Sequence, residues 1–132
     1  MSRLYAVDDD RAFLEIIESV ATPMGFDVVT VDKSKQFQSI YRGEADAIVL
    51  IDIIMPDMDG IEVMNWMTAG KPPGAIIFVS GYGDHYPDMA FELARDRGLK
   101  HIERLLKPIK IATLRKAFED ARAAVAGAEP QR

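Results

Sequence analysis

Hydrophobic and polar residues alternate along the chain in short blocks that predict five strands and five helices. Short apolar runs bounded by charged or turn-forming residues are typical of strands. Segments in which apolar residues recur every three or four positions are typical of helices with one buried face. The predicted strands are Leu4–Val7, Asp27–Val31, Ala47–Ile51, Ala75–Val79 and Ile102–Leu106. The predicted helices cover about residues 11–24, 34–42, 60–70, 84–98 and 109–126.

The same spacing assigns residues to helix faces and helix ends. Asp10 is a predicted N-cap of the first helix, and Gly25 a predicted end. The methionines and Trp66 recur at helical spacing and are expected in the core. Three short sets complete the predicted apolar faces: Ala12, Phe13, Ile16, Ile17 and Val20 in the first helix, Phe37, Ile40 and Tyr41 in the second, and Ile61, Val63, Met64 and Met67 in the third.

Strand and helix alternate five times, which favours one parallel sheet covered by helices on both faces. The third strand is apolar without a break, as expected for a strand that is buried on both sides. The 132 residues match the usual size of one domain. We therefore predict a single α/β domain over residues 1–126, followed by a short tail over residues 127–132.

Composition narrows the classes of function. The net charge of −5 argues against direct nucleic-acid binding, which needs a basic face. The chain contains no cysteine and therefore no disulfide framework or thiolate metal site. The acidic start does not resemble a signal peptide, and no apolar run approaches the length of a membrane span. These features lead us to expect a cytoplasmic protein that does not contact a membrane.

The stretch VLIDIIMPDMDG at residues 49–60 shows where the polar residues collect. An apolar strand runs directly into Asp52, although a carboxylate beside apolar residues is costly unless it is paired, metal-bound or solvated. The first, fourth and fifth predicted strands are also followed by polar residues. In an open parallel sheet the carboxyl ends of the strands line the crevice where ligands bind. The residues that follow these strands are Asp8-Asp9-Asp10, Asp52, Ser80-Gly81 and Lys107-Pro108.

If the first and third strands are neighbours, Asp8, Asp9 and Asp52 converge at that edge. Carboxylates so close raise one another's pKa, and a hard cation such as Mg²⁺ removes the repulsion. Lys107 would supply a further positive charge and Ser80 a hydroxyl donor. A carboxylate can act as a nucleophile and form an aspartyl-phosphate, and Asp52 is the best-placed nucleophile because an apolar strand holds its backbone.

Four motifs in this order resemble the receiver domain of two-component response regulators, including single-domain chemotaxis receivers. They are VDDD at residues 7–10, VLIDIIMPDMDG at 49–60, VSG at 79–81 and LLKP at 105–108. The resemblance extends from about Leu4 to Ala124. It implies a flavodoxin-like, doubly wound five-stranded parallel sheet in the order 2-1-3-4-5 with five helices.

The resemblance also implies roles for the acidic residues. Asp52 would accept a phosphoryl group from the phosphohistidine of a sensor histidine kinase or a histidine phosphotransfer protein. Mg²⁺ would be the cofactor, bound by the side chains of Asp9 and Asp52 and by the backbone carbonyl of Ile54. Asp8 would act on the metal largely through water. The domain would catalyse its own phosphotransfer and slow dephosphorylation without being a metabolic enzyme.

The remaining implied contacts concern the phosphoryl group and the partners. Ser80 and Lys107 would contact the phosphoryl oxygens, and the bond from Lys107 to Pro108 is often cis in such domains. Phosphorylation would switch binding to an unknown downstream protein. A homodimer through the fourth and fifth helices is suggested by family analogy alone. The chain could be a single-domain regulator or a receiver excised from a longer protein.

The sequence departs from the family pattern at three positions. Arg104 stands where receivers commonly carry an aromatic residue that turns inward. Because an arginine is not readily buried, we expect Arg104 to form a surface ion pair or a partner contact instead. Unchanged phosphorylation-dependent partner binding by Arg104→Ala would contradict this expectation.

Ile54 and Tyr82 flank the expected route of the hydrolytic water and predict a long-lived phosphoryl group. The segment between Ser80 and Lys107 also looks a few residues longer than usual.

Simpler roles explain some of the same residues. Aspartates before a helix are often only caps, and this is the expected role of Asp10. Asp57 and Asp59 are expected to serve the turn and the N-cap before Gly60. His85 and His101 have no paired ligands and are expected at the surface.

Three other functions remain as alternatives. A phosphatase with an aspartate nucleophile would need a second aspartate two residues after Asp52, where Ile54 stands. A flavin-binding module would need a phosphate loop after the first strand, where three aspartates would repel phosphate. A pseudo-receiver would share the fold and bind proteins without phosphorylation. The intact acidic pair Asp8 and Asp9, together with Asp52, Ser80 and Lys107, argues against this last alternative.

Overall fold

The computed structural model describes residues 2–57, 60–81, 92 and 99–127, and the five predicted strands form one parallel sheet in it. The strand order is β2-β1-β3-β4-β5, and every neighbouring pair is parallel. The predicted doubly wound order 2-1-3-4-5 is therefore confirmed. The strands are β1 (Arg3–Val7), β2 (Asp27–Val31), β3 (Ile48–Asp52), β4 (Ala75–Ser80) and β5 (His101–Leu106).

Four of the five predicted helices lie in the described residues. They are α1 (Arg11–Ala21), which continues into a short 3₁₀ turn (Thr22–Met24), α2 (Ser34–Ile40), α3 (Gly60–Ala69) and α4 (Ile111–Gly127). The helix predicted over residues 84–98 lies outside the described residues apart from Glu92, which is helical. Residues 128–132 of the predicted tail also lie outside them.

The period of two along each strand separates the core into two layers. Leu4 and Ala6 of β1 face a cluster that includes α1 and α4, whereas Tyr5 and Val7 face a cluster that includes α2 and α3. Helices therefore cover both faces of the sheet, as its central strands require because they are apolar on both sides. Every residue of β3 and β4 is buried. Among the described residues, no helix has the length and apolar character needed to cross a membrane.

The predicted start of α1 is confirmed by local hydrogen bonds, whereas the α-helix itself ends at Ala21, before the predicted end at Gly25. The Asp10 carboxylate accepts hydrogen bonds from the backbone N–H groups of Ala12 (3.1 Å) and Phe13 (3.3 Å). Gly25 follows the 3₁₀ turn with φ of 95°, a left-handed conformation that favours glycine. The second helix ends earlier than predicted, because Tyr41 adopts an extended backbone with φ −67° and ψ 128°.

Three core predictions were wrong. Ala12 and Ile16 are exposed, and Leu14 takes a buried place on α1 instead. A helix that lies on a sheet buries only a narrow stripe, and the predicted face was wider than that stripe. Trp66 is 39% exposed on α3, with its ring edge against Phe37 and Tyr41. The described methionines are buried or half-buried, in agreement with the prediction.

Candidate functional site

Neighbouring strands bring the predicted acidic residues together. β1 pairs with β3 in a register that sets Val7 opposite Ile51, so Asp8 and Asp52 leave the sheet side by side. Asp8 is fully buried, Asp52 is 7% exposed, and Asp9 is exposed. One carboxylate oxygen from each of these three residues lies within 4.8 Å of the others. The convergence that the sequence predicted is present in the fold.

Lys107 supplies the positive charge at the centre of this cluster. Its Nζ lies 3.0 Å from Asp8 Oδ2 and 3.3 Å from Asp52 Oδ2. It also lies 4.9 Å from the centroid of the Phe13 ring, a favourable cation–π position. The Lys107 N–H donates to the carbonyl of Ser80 (2.9 Å), and the bond to Pro108 is cis, as the resemblance implied. The start of the loop after β5 is thereby held against the end of β4.

Backbone amides orient the two buried carboxylates. The Asp10 N–H donates to Asp8 Oδ1 and the Ile54 N–H donates to Asp52 Oδ1, each at 2.9 Å. Each carboxylate therefore turns its other oxygen, Oδ2, towards Lys107. Ser80 is the last residue of β4 and is 3% exposed. The sheet thus places it on the same edge as Asp52, which β3 pairs with Val79.

Burial dominates the electrostatics of the two buried carboxylates. It raises the pKa of Asp8 and of Asp52, although backbone hydrogen bonds and Lys107 act in the opposite direction. Burial also disfavours the charged form of Lys107, but its contacts with Asp8 and Asp52 outweigh this and raise its pKa. The site therefore holds more negative charge than its one ammonium neutralises.

The donor set fits a hard divalent cation. Asp8 Oδ2 is buried and accepts no hydrogen bond from the described residues, because its contact with Lys107 is an ion pair without hydrogen-bond geometry. Three carboxylates close together in a partly open edge match the oxygen ligands and retained waters that Mg²⁺ prefers. Asp8, Asp9 and Asp52 could hold such an ion. The assignment of the Ile54 carbonyl stays a prediction from the resemblance.

Asp57 has a role that the sequence did not reveal. It was expected to serve the turn before α3, but its carboxylate accepts hydrogen bonds from the backbone N–H groups of Ser34 (3.2 Å) and Lys35 (3.1 Å). Those groups belong to the start of α2. Lys33 stands at the N-cap position of α2 without a side-chain hydrogen bond, and this unfilled cap was the available signal. Asp59 lies outside the described residues.

The other residues singled out in the sequence occupy varied positions. Ile54 is 45% exposed beside Asp52, and Arg104 is exposed on β5, which agrees with a surface position. The expectation for His101 was wrong in part, because it is half-buried and its ring nitrogen lies 3.2 Å from Glu103 Oε1. Tyr82 and His85 lie outside the described residues.

The Asp52→Asn variant is expected to stabilise the domain in Mg²⁺-free buffer at about pH 8, by roughly 1 kcal/mol. Because burial raises the pKa of Asp52 above 3.8, the native state binds more protons than the unfolded state above that value. The stability of the wild type should therefore fall as the pH rises through the native pKa, whereas the variant has no such charge. Urea unfolding at about pH 5 and about pH 8 measures the difference.

The matched control for this prediction is Asp120→Asn, which alters an exposed carboxylate on α4. Relative to the wild type, the control should show no comparable gain in the free energy of unfolding when the pH is raised from about 5 to about 8. A loss of stability in Asp52→Asn at the higher pH would contradict the assignment of a buried, under-neutralised charge.

Comparison with known proteins agrees with the fold and the acidic edge. A doubly wound parallel sheet with paired aspartates and a lysine at its carboxyl edge defines an α/β domain of the receiver type. Residues 4–119 match the family model described as the response regulator receiver domain. The chain belongs to this family, the receiver domains of two-component signalling.

Individual relatives support the same conclusion. The chain is similar to the transcriptional regulatory protein FixJ of Bradyrhizobium diazoefficiens, with 32% identity over 81 residues, which cover 61% of this chain and 40% of the relative. It is also similar to the two-component response regulator ARR12 of Arabidopsis thaliana, with 27% identity over 121 residues, covering 89% of this chain and 19% of the relative. The chain thus spans about two fifths or less of the length of these relatives.

The chain also matches solved structures, one of them over nearly the whole length of both chains. A response regulator from Colwellia psychrerythraea is 29% identical, with a TM-score of 0.78 over 92% of this chain and 97% of that one. Full-length FixJ from B. japonicum is 27% identical, with a TM-score of 0.75 over 97% of this chain and 59% of that one.

Proposed function

We propose that this receiver domain accepts a phosphoryl group on Asp52 in a Mg²⁺-dependent reaction, and that phosphorylation switches its binding to a partner. The observation that carries the proposal is the ammonium of Lys107, which contacts both Asp8 and Asp52 at the carboxyl edge of the sheet. A structural ion pair needs one carboxylate, whereas this arrangement keeps a buried excess of negative charge beside a reachable edge. Such an excess suits a cation and an incoming phosphoryl group.

The chemistry is a displacement at phosphorus. An Asp52 oxygen forms a bond to phosphorus while the bond from phosphorus to the donor's imidazole nitrogen breaks, and the leaving imidazole takes a proton from solvent. Lys107 and the Ser80 hydroxyl would contact phosphoryl oxygens. Mg²⁺, when bound by Asp8, Asp9, Asp52 and the Ile54 carbonyl, would neutralise charge on the transferred group. The protein is thus a phosphoacceptor that promotes its own modification and not a metabolic enzyme.

The proposed partners follow from this chemistry. The phosphoryl donor would be a sensor histidine kinase or a histidine phosphotransfer protein, and the response would pass to a downstream protein in the cytoplasm. Arg104 is exposed on the edge strand β5 and is suited to an ion pair or contact with such a partner. The phosphatase and the flavin-binding alternatives gain no support, since Ile54 follows Asp52 at the second position and three aspartates follow β1.

Intact mass after incubation with Mg²⁺ and acetyl phosphate tests the proposal. The wild type should gain one phosphoryl group, and Asp52→Asn should gain none. No adduct on the folded wild type would overturn the proposal in favour of a pseudo-receiver that binds partners without phosphate. An adduct on both proteins would place the phosphoryl group on a residue other than Asp52.

The phosphoryl group is expected to be long-lived, because the apolar side chain of Ile54 stands beside Asp52 and cannot orient an attacking water. Hydrolysis transfers the phosphoryl group to water and regenerates the carboxylate. Replacing Ile54 by glutamine should shorten the lifetime by about tenfold, since an amide can hold the water in line. Decay of the adduct mass after removal of the donor measures both lifetimes. Equal lifetimes in the two proteins would contradict the role of Ile54, and Ile16→Gln, on the exposed side of α1, is the matched control.

A further inference from the structure

The loop after β3 is fastened to α2 by a carboxylate. This loop begins at Asp52 and passes through Ile54, whose N–H holds Asp52 Oδ1 at 2.9 Å. Three residues further on, Asp57 accepts the hydrogen bonds from Ser34 and Lys35. The cap of α2 therefore comes from a residue more than twenty positions away in sequence.

The start of α2 needs this distant cap. The first N–H groups of a helix have no partner within the helix, and a side chain at the N-cap position usually satisfies one of them. Lys33 occupies that position with an extended backbone, φ −138° and ψ 137°, but it makes no side-chain cap hydrogen bond. Asp57 takes over this task with both of its oxygens, one for each N–H. The hydrogen bonds outweigh burial and lower the pKa of Asp57, as expected for a carboxylate held in its charged form.

The helix that Asp57 caps, α2, is well anchored in the core. Phe37 of α2 is fully buried and packs edge-on against Tyr5 of β1 (5.6 Å between ring centroids) and Trp66 of α3 (6.3 Å). Asp57 itself is exposed and follows a segment without regular secondary structure over residues 53–57, in which Ile53 and Met55 are buried in the core. α2 is therefore anchored by the core, and the contact with Asp57 fastens the exposed part of the loop to this helix.

We infer that Asp57 is a positioning residue for the phosphoacceptor loop: together with the buried side chains of Ile53 and Met55, its hydrogen bonds to α2 set the path of residues 53–57 and so place the Ile54 backbone beside Asp52. The inference rests on the proposed function, because that backbone is the proposed carbonyl ligand of Mg²⁺. Asp57 would contact neither the metal nor the phosphoryl group. Its loss should therefore weaken metal binding without removing any ligand.

A purely structural role for Asp57 makes a different prediction. If Asp57 only stabilises α2, any other cap of α2 should replace it. Lys33→Asn provides such a cap, because asparagine is a favoured N-cap residue and the backbone at this position is already extended. A local cap restores the helix start but leaves the loop unfastened. The two roles can thus be separated in one set of variants.

The experiment uses the full chain as wild type, Asp57→Ala, Lys33→Asn and the double variant. Calorimetry gives the Mg²⁺ dissociation constant, intact mass gives the initial rate of phosphoryl uptake from acetyl phosphate, and urea unfolding gives stability. Asp57→Ala should weaken Mg²⁺ binding roughly tenfold, the lower end of the cost of losing an outer partner of a metal site. The double variant should regain stability but keep the weakened Mg²⁺ binding and the slower uptake.

Two further variants sharpen the result. Asp57→Asn keeps one acceptor oxygen and should bind Mg²⁺ with an intermediate affinity. Asp120→Ala removes an exposed carboxylate on α4, which is paired with Lys116, and should leave Mg²⁺ binding unchanged. It controls for the loss of one negative charge.

Each outcome decides the inference. Recovery of Mg²⁺ affinity in the double variant would show that Asp57 is only a cap of α2, and unchanged affinity in Asp57→Ala would also overturn the positioning role. A wild type that binds Mg²⁺ but takes up no phosphoryl group would contradict the proposed function, while the affinities would still decide the role of Asp57. A wild type that binds no Mg²⁺ would overturn both.

Discussion

Replacing Lys107 by methionine is expected to lower the free energy of unfolding by about 3 kcal/mol in Mg²⁺-free buffer near neutral pH. The ammonium lies 3.0 Å from Asp8 Oδ2 and 3.3 Å from Asp52 Oδ2, and methionine keeps much of the side-chain volume without the charge. Two buried carboxylates would then face each other without a counter-charge. The Lys107 side chain is 27% exposed, so the expected cost is at the lower end of that for a fully buried pair.

Mg²⁺ separates this electrostatic effect from a loss of packing. A bound divalent cation supplies the missing positive charge, so saturating Mg²⁺ should recover most of the stability of Lys107→Met. Urea unfolding with and without Mg²⁺ measures both quantities. Lys110→Met, which changes an exposed lysine in the same loop, should have little effect in either buffer. If Lys107→Met lost the same stability in both buffers, the loss would come from packing against Phe13 and not from the acidic cluster.

Gly74→Ala is expected to lower the free energy of unfolding by about 3 kcal/mol, because the added methyl group has no space. A Cβ atom at this position would lie 2.5 Å from Val125 Cγ1 and 2.6 Å from the carbonyl oxygen of Ala45. The valine can shift with α4, but the carbonyl belongs to the backbone just before β3. The Gly74 N–H also donates to the carbonyl of Ala47 (2.9 Å), which holds the start of β4 in place.

A second glycine in the same connection provides the control. A Cβ atom at Gly70 would meet only the carbonyl oxygens of Trp66 and Met67, at 3.7 and 3.8 Å, which is ordinary contact. Gly70→Ala should therefore unfold at nearly the wild-type urea concentration, whereas Gly74→Ala should unfold at a much lower one. The Val125→Ala change should not rescue Gly74→Ala, because the Ala45 carbonyl remains. Equal midpoints for the two glycine variants would contradict the close approach.

The fold was predictable because its signals are local. The bounds of β2 agree with the prediction, and each end of the other strands differs by at most one residue, since a short apolar run ends where charged residues begin. The cap of α1 by Asp10 was also predictable, because donor and acceptor are at most three residues apart. By contrast, the second helix was predicted too long, because the extended backbone at Tyr41 serves packing against Phe37 and Trp66.

Much of the candidate site was predictable for a related reason. Parallel strands present their carboxyl ends at one edge, so Asp8, Asp52, Ser80 and Lys107 were expected to converge once the strands were assigned. The distances were not predictable, because they depend on the exact register of β1 against β3 and on the path of the chain after β5. The exposure of Trp66 was also missed, since spacing along a helix does not reveal how far a neighbouring helix extends over it.

By itself, the sequence determined which residue types stand at the ends of the strands and which segments alternate between strand and helix. Both depend on neighbours within a few positions, where backbone geometry and hydrophobic periodicity act. The tertiary structure alone decided which atoms meet across the chain: Asp57 with the start of α2, Gly74 with Val125, and Lys107 with two carboxylates at once. These contacts join segments far apart in sequence, and they form only when the helices pack onto the two faces of the sheet.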